Sequence, residues 1–395
     1  MTRAVRCPFG QLLAGAANHY ILVSSAIRIE SVRTQRLFRG RCPTPRQPAD
    51  RSFRMYANSL VELIGDTPLL HLKSLSDERR GIRVYGKLES YNPGNSVKDR
   101  SALQLLRQAE RDHGLKPGWS IVESTSGNMG HALAMLCATR GYRFICVLDP
   151  KTPKTNANLV RAFGGEVEMV QQPDETGSYQ KKRIAVAKAL AASVPNCVNL
   201  DQYNNPAAID AHYYSTGPEI VAQLADRLDA VIVSASTGSH LSGIARYVKE
   251  RDPQTRVVGV EPDGSVVFGG SYRPHLQNGA GLSFQPGNIR VELVDETMRI
   301  ADRDAFVGCR RLALDEGLLL GGSSGAIAHA ARRYVAGCQG PANIVLVLPD
   351  SGTKYLDTIY DDQWLVAHGL QAVLDALRDI ETPPLEARVA DLETL

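Results

Sequence analysis

The chain is short of three things, and each shortage closes off a class of protein. No apolar run approaches the roughly 18 residues needed to span a bilayer, so neither a transmembrane helix nor a membrane partner is expected. The seven cysteines (Cys7, Cys42, Cys137, Cys146, Cys197, Cys309 and Cys338) include no CxxC pair and no metal-ligand spacing. That argues against a disulfide framework or a structural metal and for a reducing cytoplasm. Acidic residues are scarce only at the start, where residues 1–54 hold ten arginines and no lysine against Glu30 and Asp50. Without that segment the formal charge of +3 becomes a mildly acidic body of 35 basic and 40 acidic residues, so no nucleic-acid partner is expected.

What is present is an ordinary globular composition, 43% hydrophobic and 22% charged, over 395 residues. That length suits a tail plus two α/β lobes better than one compact core. The Arg-rich head has three readings: a transit peptide, a nucleic-acid-binding arm, or an upstream extension of the reading frame. The last is preferred, because Met55 stands just before the first ordered pattern, Asn58 to Leu70, and Pro43, Pro45 and Pro48 mark a flexible, disordered stretch.

From Met55 onward, short β-branched or apolar runs alternate with longer amphipathic stretches, the rhythm of parallel βα units. Strands are expected at Arg83–Glu89, Ser120–Glu123, Arg143–Asp149, Glu166–Val170, Cys197–Leu200, Ala230–Ser234, Arg256–Glu261 and Ile344–Pro349. Helices are expected to start near Ser96, Gly127, Lys154, Tyr179, Gly217, His240, Arg303 and Ser324, and a last one near Leu370, followed by a polar tail. Continuous apolar runs such as Ala230–Val233 and Ile344–Leu348 read as buried central strands with helices on both faces.

Ligands of open α/β sheets collect where strands enter helices, and four such junctions carry unusual residues. In Tyr91-Asn-Pro-Gly-Asn-Ser-Val-Lys98-Asp-Arg100, turn chemistry precedes an approximate capping box, Ser96 to Asp99, which puts Lys98 in the first helical turn. A cation there faces the positive end of the helix dipole. It is either a lysine reaching solvent or one with a lowered pKa, as a covalent amine catalyst requires. Glu123-Ser-Thr125-Ser126-Gly-Asn128 leads a strand into a helix through small hydroxyl residues, which suits either a plain N-cap or a carboxylate nest. Ser234-Ala-Ser236-Thr237-Gly238-Ser239-His240 can cradle a phosphate with main-chain donors and lacks a Walker lysine. Gly321-Gly-Ser323-Ser-Gly325 again opens a helix.

Taken in this order, the four segments resemble the fold-type II pyridoxal-phosphate enzymes, the family of cysteine synthase and cystathionine β-synthase. The resemblance runs from Asn58 to about Leu365. It implies two parallel-sheet α/β lobes with pyridoxal 5′-phosphate between them, as in the tryptophan synthase β-like fold, in a homodimer. Residues 55–95 and 200–365 would form the larger, cofactor-binding lobe, 96–199 the smaller mobile lobe, and 366–395 a C-terminal helix and tail. Lys98 would hold the cofactor in a Schiff base and act as general base. Ser236, Thr237, Gly238, Ser239 and His240 would form the phosphate cup, Asn128 would meet the 3′-oxygen and Ser323 the pyridine nitrogen. Thr125, Ser126 and Gln202 would hold the substrate carboxylate.

Departures from the family pattern point to a narrower branch. The cup reads Ser-Thr-Gly-Ser-His in place of Gly-Thr-Gly-Gly-Thr, and Met129 replaces a common threonine. The stretches Val167–Asp174, Gly177–Tyr179 with Arg183, Gly264–Gly269 and Leu348–Asp357 resemble enzymes that join O-phospho-L-serine to L-glutamate. Their product, N-(2-amino-2-carboxyethyl)-L-glutamate, leads to 2,3-diaminopropionate for siderophores. Arg183 and Tyr203 are the candidates for contacting the acceptor or the leaving group. Two other readings stay open: a cysteine synthase using O-acetyl-L-serine or O-phospho-L-serine with sulfide, and a silent amino-acid-binding protein, which an intact Lys98 disfavours.

Overall fold

The computed structural model describes residues 56–175 and 177–378, so the reading of the Arg-rich head and of the tail beyond residue 378 lies outside the described residues. The strands are β1 (Leu69–His71), β2 (Ile82–Leu88), β3 (Ser120–Ser124), β4 (Arg143–Leu148), β5 (Glu166–Met169), β6 (Cys197–Asn199), β7 (Ala230–Ser234), β8 (Arg256–Pro262), β9 (Glu296–Ile300) and β10 (Ala342–Leu348). The first helices are α1 (Lys98–His113), α2 (Asn128–Arg140), α3 (Lys154–Ala162), α4 (Gln180–Ser193), α5 (Ala207–Tyr213) and α6 (Thr216–Leu224). They are followed by α7 (Ser239–Arg251), α8 (Asp302–Glu316), α9 (Gly322–Gly337), α10 (Asp362–Ala367) and α11 (Gln371–Arg378).

Among the described residues the strands form two sheets, in the orders β1-β2-β10-β7-β8-β9 and β5-β4-β3-β6. All pairings are parallel except β1 with β2, where Leu69 faces Lys87. Because alternate residues of a strand point to opposite faces, the apolar runs supply two cores at once. Ile344, Leu346 and Leu348 join Ala230 and Ile232 under α8 and α9, while Val345 and Val347 join Val231 and Val233 under α7. In the smaller sheet, Phe144, Cys146 and Leu148 pack toward α1 and α2, and Ile145 and Val147 toward α4. Leu60, Val61 and Ile64 also pack on the α1–α2 side of this smaller core.

Elements absent from the sequence expectation are short or at an edge. β1 has three residues, and β9 buries only Met298 and Ile300 of its five, too weak a pattern to stand out. α5 is one short helix inside what reads as a loop. No helix among the described residues is long and apolar enough to cross a membrane.

The position of α9, whose first turn carries Ser323, depends on two glycines. A Cβ on Gly308 of α8 would lie 2.2 Å from the Gly325 carbonyl oxygen, and one on Gly325 would lie 2.0 Å from that of Ala305. Alanine gains up to about 1 kcal/mol of helix propensity over glycine, whereas overpacking a rigid contact costs about 1–3 kcal/mol or more. Here the obstruction is backbone and cannot rotate away. Gly325→Ala should therefore lose about 2 kcal/mol of unfolding free energy in urea, and a neutral or stabilising result would contradict this packing.

Candidate active site

The lysine loop is built by turn chemistry and then stitched to two other segments. Asn95 takes φ +58°, a left-handed value that asparagine tolerates, and returns the chain toward α1. α1 begins at Lys98, two residues later than the sequence suggests, because Ser96 pairs with Asp350 in a β-bridge. The expected capping box is split accordingly: the Ser96 hydroxyl accepts from the Lys98 N–H at 3.3 Å, while the Asp99 carboxylate reaches back to the Gly94 N–H. The Val97 N–H donates to the Pro349 carbonyl (2.8 Å) and the Ser351 N–H to that of Asn95 (3.2 Å). On the far side, the Gly321 N–H donates to the Asp350 carbonyl (3.2 Å) and the Gly352 N–H to that of Leu319 (2.8 Å). These bonds set the start of α1, the loop after β10 and the start of α9 side by side.

Lys98 keeps some accessible surface, yet its amine is closely surrounded by protein. Desolvation lowers its pKa to about 8, against an opposing pull from Asp350 and with help from the positive charge of Lys354. Burial also raises the Asp99 carboxyl to about 7 and, with Lys354 nearby, lowers His131 to about 4. His212 and His240 are driven well below the usual histidine range, mainly by burial, so both are neutral beside Lys98.

Arg100, two residues beyond Lys98, anchors this helix start. Its guanidinium donates to both carboxylate oxygens of Glu89 (2.7 and 2.8 Å) and to both of Glu219 (2.6 and 2.7 Å). Lys87, 0% exposed, donates to Glu219 (2.7 Å), to Gln223 (2.8 Å) and to the Thr67 carbonyl (2.6 Å). Burial alone would raise the Glu219 pKa, but Arg100 and Lys87 hold it down to about 2.

The smaller sheet contributes the loop after β3. The Asn128 amide nitrogen donates to Asp350 Oδ2 (2.8 Å), and its amide oxygen accepts from Lys354. Beneath Thr125 and Ser126, the Gln202 amide donates to the Ser124 carbonyl (2.9 Å), which the Tyr203 hydroxyl also approaches at 3.3 Å. Glu123 accepts from the N–H groups of Ser124 (2.9 Å) and Gln202 (3.1 Å), yet burial raises its pKa to about 8. Arg183 is 3% exposed and is paired with Asp149 at 3.2 Å. Its Nη1 has no hydrogen-bond partner, so it is not the solvated helix residue that exposure statistics favour.

The Ser236–His240 loop is fixed from behind. Gly238 takes φ +84°, and a Cβ there would lie 2.6 Å from the Ile289 nitrogen, so only glycine fits. Asn288 donates to the carbonyls of Gln202 (3.1 Å) and Asn205 (3.0 Å) and to the Ser239 hydroxyl (3.3 Å), tying the Gln202–Tyr203 turn to this loop. The His240 ring turns toward the Ser234 hydroxyl, 3.4 Å away. Ser323 lies buried in the first turn of α9.

These residues fit pyridoxal phosphate. A desolvated amine, helix N-termini with unpaired N–H groups at α2, α7 and α9, and the unpartnered Asp350 Oδ1 answer to an aldehyde, an anion and polar ring edges. Residues 60–350 match the model of the pyridoxal-phosphate dependent enzyme family. The chain belongs to this family.

It is 39% identical over 336 residues to an N-(2-amino-2-carboxyethyl)-L-glutamate synthase from Ralstonia nicotianae, covering 84% of this chain and 99% of the relative. A synthase of the same name from Cupriavidus metallidurans is 38% identical, covering 79% of this chain and 92% of the relative. A crystal structure of O-ureido-L-serine synthase matches with a TM-score of 0.72 at 35% identity, over 79% of this chain and 99% of that one. This pyridoxal-phosphate dependent enzyme is accordingly a transferase of the β-replacement type, with the expected fold-type II architecture.

The structure brings Lys98, Asn128 and the α9 start that carries Ser323 to one place around Asp350, and sets Thr125, Gln202, Tyr203 and Arg183 around the end of β3. Sequence reasoning missed Asp350, Lys354 and Asn288. Asp350 and Lys354 follow an apolar strand end, the signal that marked the other junctions, but Asn288 sits in a loop with no periodic pattern on either side.

An amine with a pKa of about 8 is roughly one-tenth neutral at pH 7, several hundredfold more than an ordinary lysine. Competitive acetylation of the cofactor-free enzyme, read by mass spectrometry, should give Lys98 a labelling midpoint near pH 8, and a midpoint near 10 would contradict the desolvated site.

Proposed function

We propose that the enzyme joins O-phospho-L-serine to L-glutamate, releasing phosphate and N-(2-amino-2-carboxyethyl)-L-glutamate, a precursor of 2,3-diaminopropionate in siderophore synthesis. In this reading Lys98 holds the cofactor, and its low-pKa amine removes the Cα proton of the bound amino acid. Bound pyridoxal phosphate supplies the electron sink for charge developing at that carbon. Main-chain N–H groups of Ser239 and His240, with the hydroxyls of Ser236, Thr237 and Ser239, hold the phosphate at the start of α7. Asn128 meets the 3′-oxygen, and Thr125, Ser126 and the second N–H of Gln202 hold the substrate carboxylate. Ser323 offers the pyridine nitrogen a neutral hydroxyl, which cannot protonate it as a carboxylic acid would. That limits charge build-up on the ring and favours loss of the β-substituent over transamination.

One observation carries the choice of acceptor. Glutamate brings carboxylates that sulfide lacks and phosphoserine a phosphate that acetylserine lacks, and Arg183 is a buried cation with donor capacity left over beside Tyr203. A second carboxylate or a phosphate leaving group would use that capacity. The names of the two curated relatives, both N-(2-amino-2-carboxyethyl)-L-glutamate synthases, support glutamate as the acceptor.

The test is to give the purified enzyme phosphoserine or acetylserine with glutamate or sulfide and to identify the products by mass. The phosphoserine–glutamate adduct should dominate. Arg183→Lys, which keeps the charge facing Asp149 but loses the planar fork, should raise the KM for glutamate about tenfold and alter phosphate release less. Preference for acetylserine with sulfide would establish a cysteine synthase instead.

A further inference from the structure

The Asn128 side chain is held at both of its atoms by one short segment, Asp350 to Tyr355. Its amide nitrogen donates to Asp350 Oδ2, whose position is fixed by a second donor, the Tyr355 hydroxyl at 2.7 Å. Its amide oxygen accepts from the Lys354 ammonium. The segment itself is pinned: the Ser351 hydroxyl accepts from the Thr353 N–H at 3.3 Å, and the main chain at Asp350 bridges to Ser96 beside Lys98.

An amide has two faces of similar shape and opposite polarity, so shape alone does not fix which way it points. Charge does so here. Turned over, the amide would set its oxygen against a carboxylate and its N–H groups against an ammonium, both repulsive. In the observed orientation one N–H of Nδ2 is used by Asp350, and the Tyr355 hydroxyl stands beside the same amide. Asn128 is only partly covered, so its amide is open to a ligand on its outer side.

We propose that Asp350 and Lys354 are a positioning pair, of opposite charge, that locks the Asn128 amide with one N–H presented to the cofactor's 3′-oxygen. This rests on the reading that the group beside Lys98 is pyridoxal phosphate and that Asn128 touches it. Neither member of the pair needs to contact the cofactor for this role. The pair also makes Asn128 the polar link between the loop after β3 in the smaller sheet and the loop after β10 in the larger one.

The test is a double-mutant cycle read as cofactor affinity, from titration of stripped enzyme with pyridoxal phosphate followed by visible absorbance. Asn128→Ala and Lys354→Met should each weaken binding roughly tenfold and shift the visible band alike, and the double variant should be no weaker than Asn128→Ala alone. Lys354→Arg, which retains a donor cation, should recover most of the affinity. If the two losses multiply in the double variant, Lys354 does not act through Asn128 and the proposal is overturned. Unchanged affinity in Asn128→Ala would instead remove the contact itself, and with it both the site reading and the pair. Should Lys354→Met fail to fold, Asp350→Asn takes its place in the same cycle, with the same two outcomes.

Discussion

Lys98, the proposed cofactor lysine, stands two residues from an arginine that never loses its charge, and the buried contacts of Arg100 tie down the start of α1. The guanidinium fork is bonded on both sides, to Glu89 at the end of β2 and to Glu219 on α6, and Lys87 completes the cluster from within β2. Buried ion pairs add little stability over well-packed apolar residues, but removing one partner costs about 3–5 kcal/mol, because the charge left behind has no water. Such a cluster therefore fixes position more than it stabilises. It ties the first turn of α1, which packs on the smaller core, to the frame of the larger sheet.

With α1 held, the remaining parts follow from strand order. Parallel strands bring their carboxyl ends to one side, so the loops after β2, β7 and β10 open together in one sheet and those after β3 and β6 in the other. Glycine supplies the close approaches: Gly238 admits Ile289, and Gly321 lies where a Cβ would fall 2.2 Å from Asp350 Oδ1. Polar side chains then span the two sheets. Asn128 reaches Asp350 from the β3 loop, and Asn288 joins the Gln202 turn to Ser239. Low dielectric makes each of these contacts strong and makes an unmet group costly, and Asp350 Oδ1 and Arg183 Nη1, both without a hydrogen-bond partner, lie at these loops.

The strands that shape the site were legible because both faces of a parallel sheet are buried and leave continuous apolar runs. The four loops were legible because glycine, serine and asparagine at a strand-to-helix junction have few other uses. Helix starts differ from expectation by at most a residue or two, and at Ser96 the cause is a tertiary bond, the bridge to Asp350 that delays α1 until Lys98. Edge strand β9, with only two buried residues, was not legible. Nor were the partners of Asn128, since Asp350 and Lys354 lie more than two hundred residues away and no local spacing encodes that meeting. The charge state of Lys98 likewise depends on burial, which a helix-dipole argument can suggest but only packing supplies.

Three lysines compete for the central role, since Lys87, Lys98 and Lys354 are all held below the ordinary lysine range by desolvation. Geometry separates them: Lys87 spends its three donors on Glu219, Gln223 and Thr67, and Lys354 is engaged by Asn128, whereas Lys98 faces the junction of the loops. The most direct test is to reduce the enzyme, loaded with pyridoxal phosphate, with borohydride, digest it and map the phosphopyridoxyl group by mass spectrometry. The account predicts a single modified peptide carrying the group on Lys98, and a group on Lys354, on Lys87 or on no lysine would contradict it.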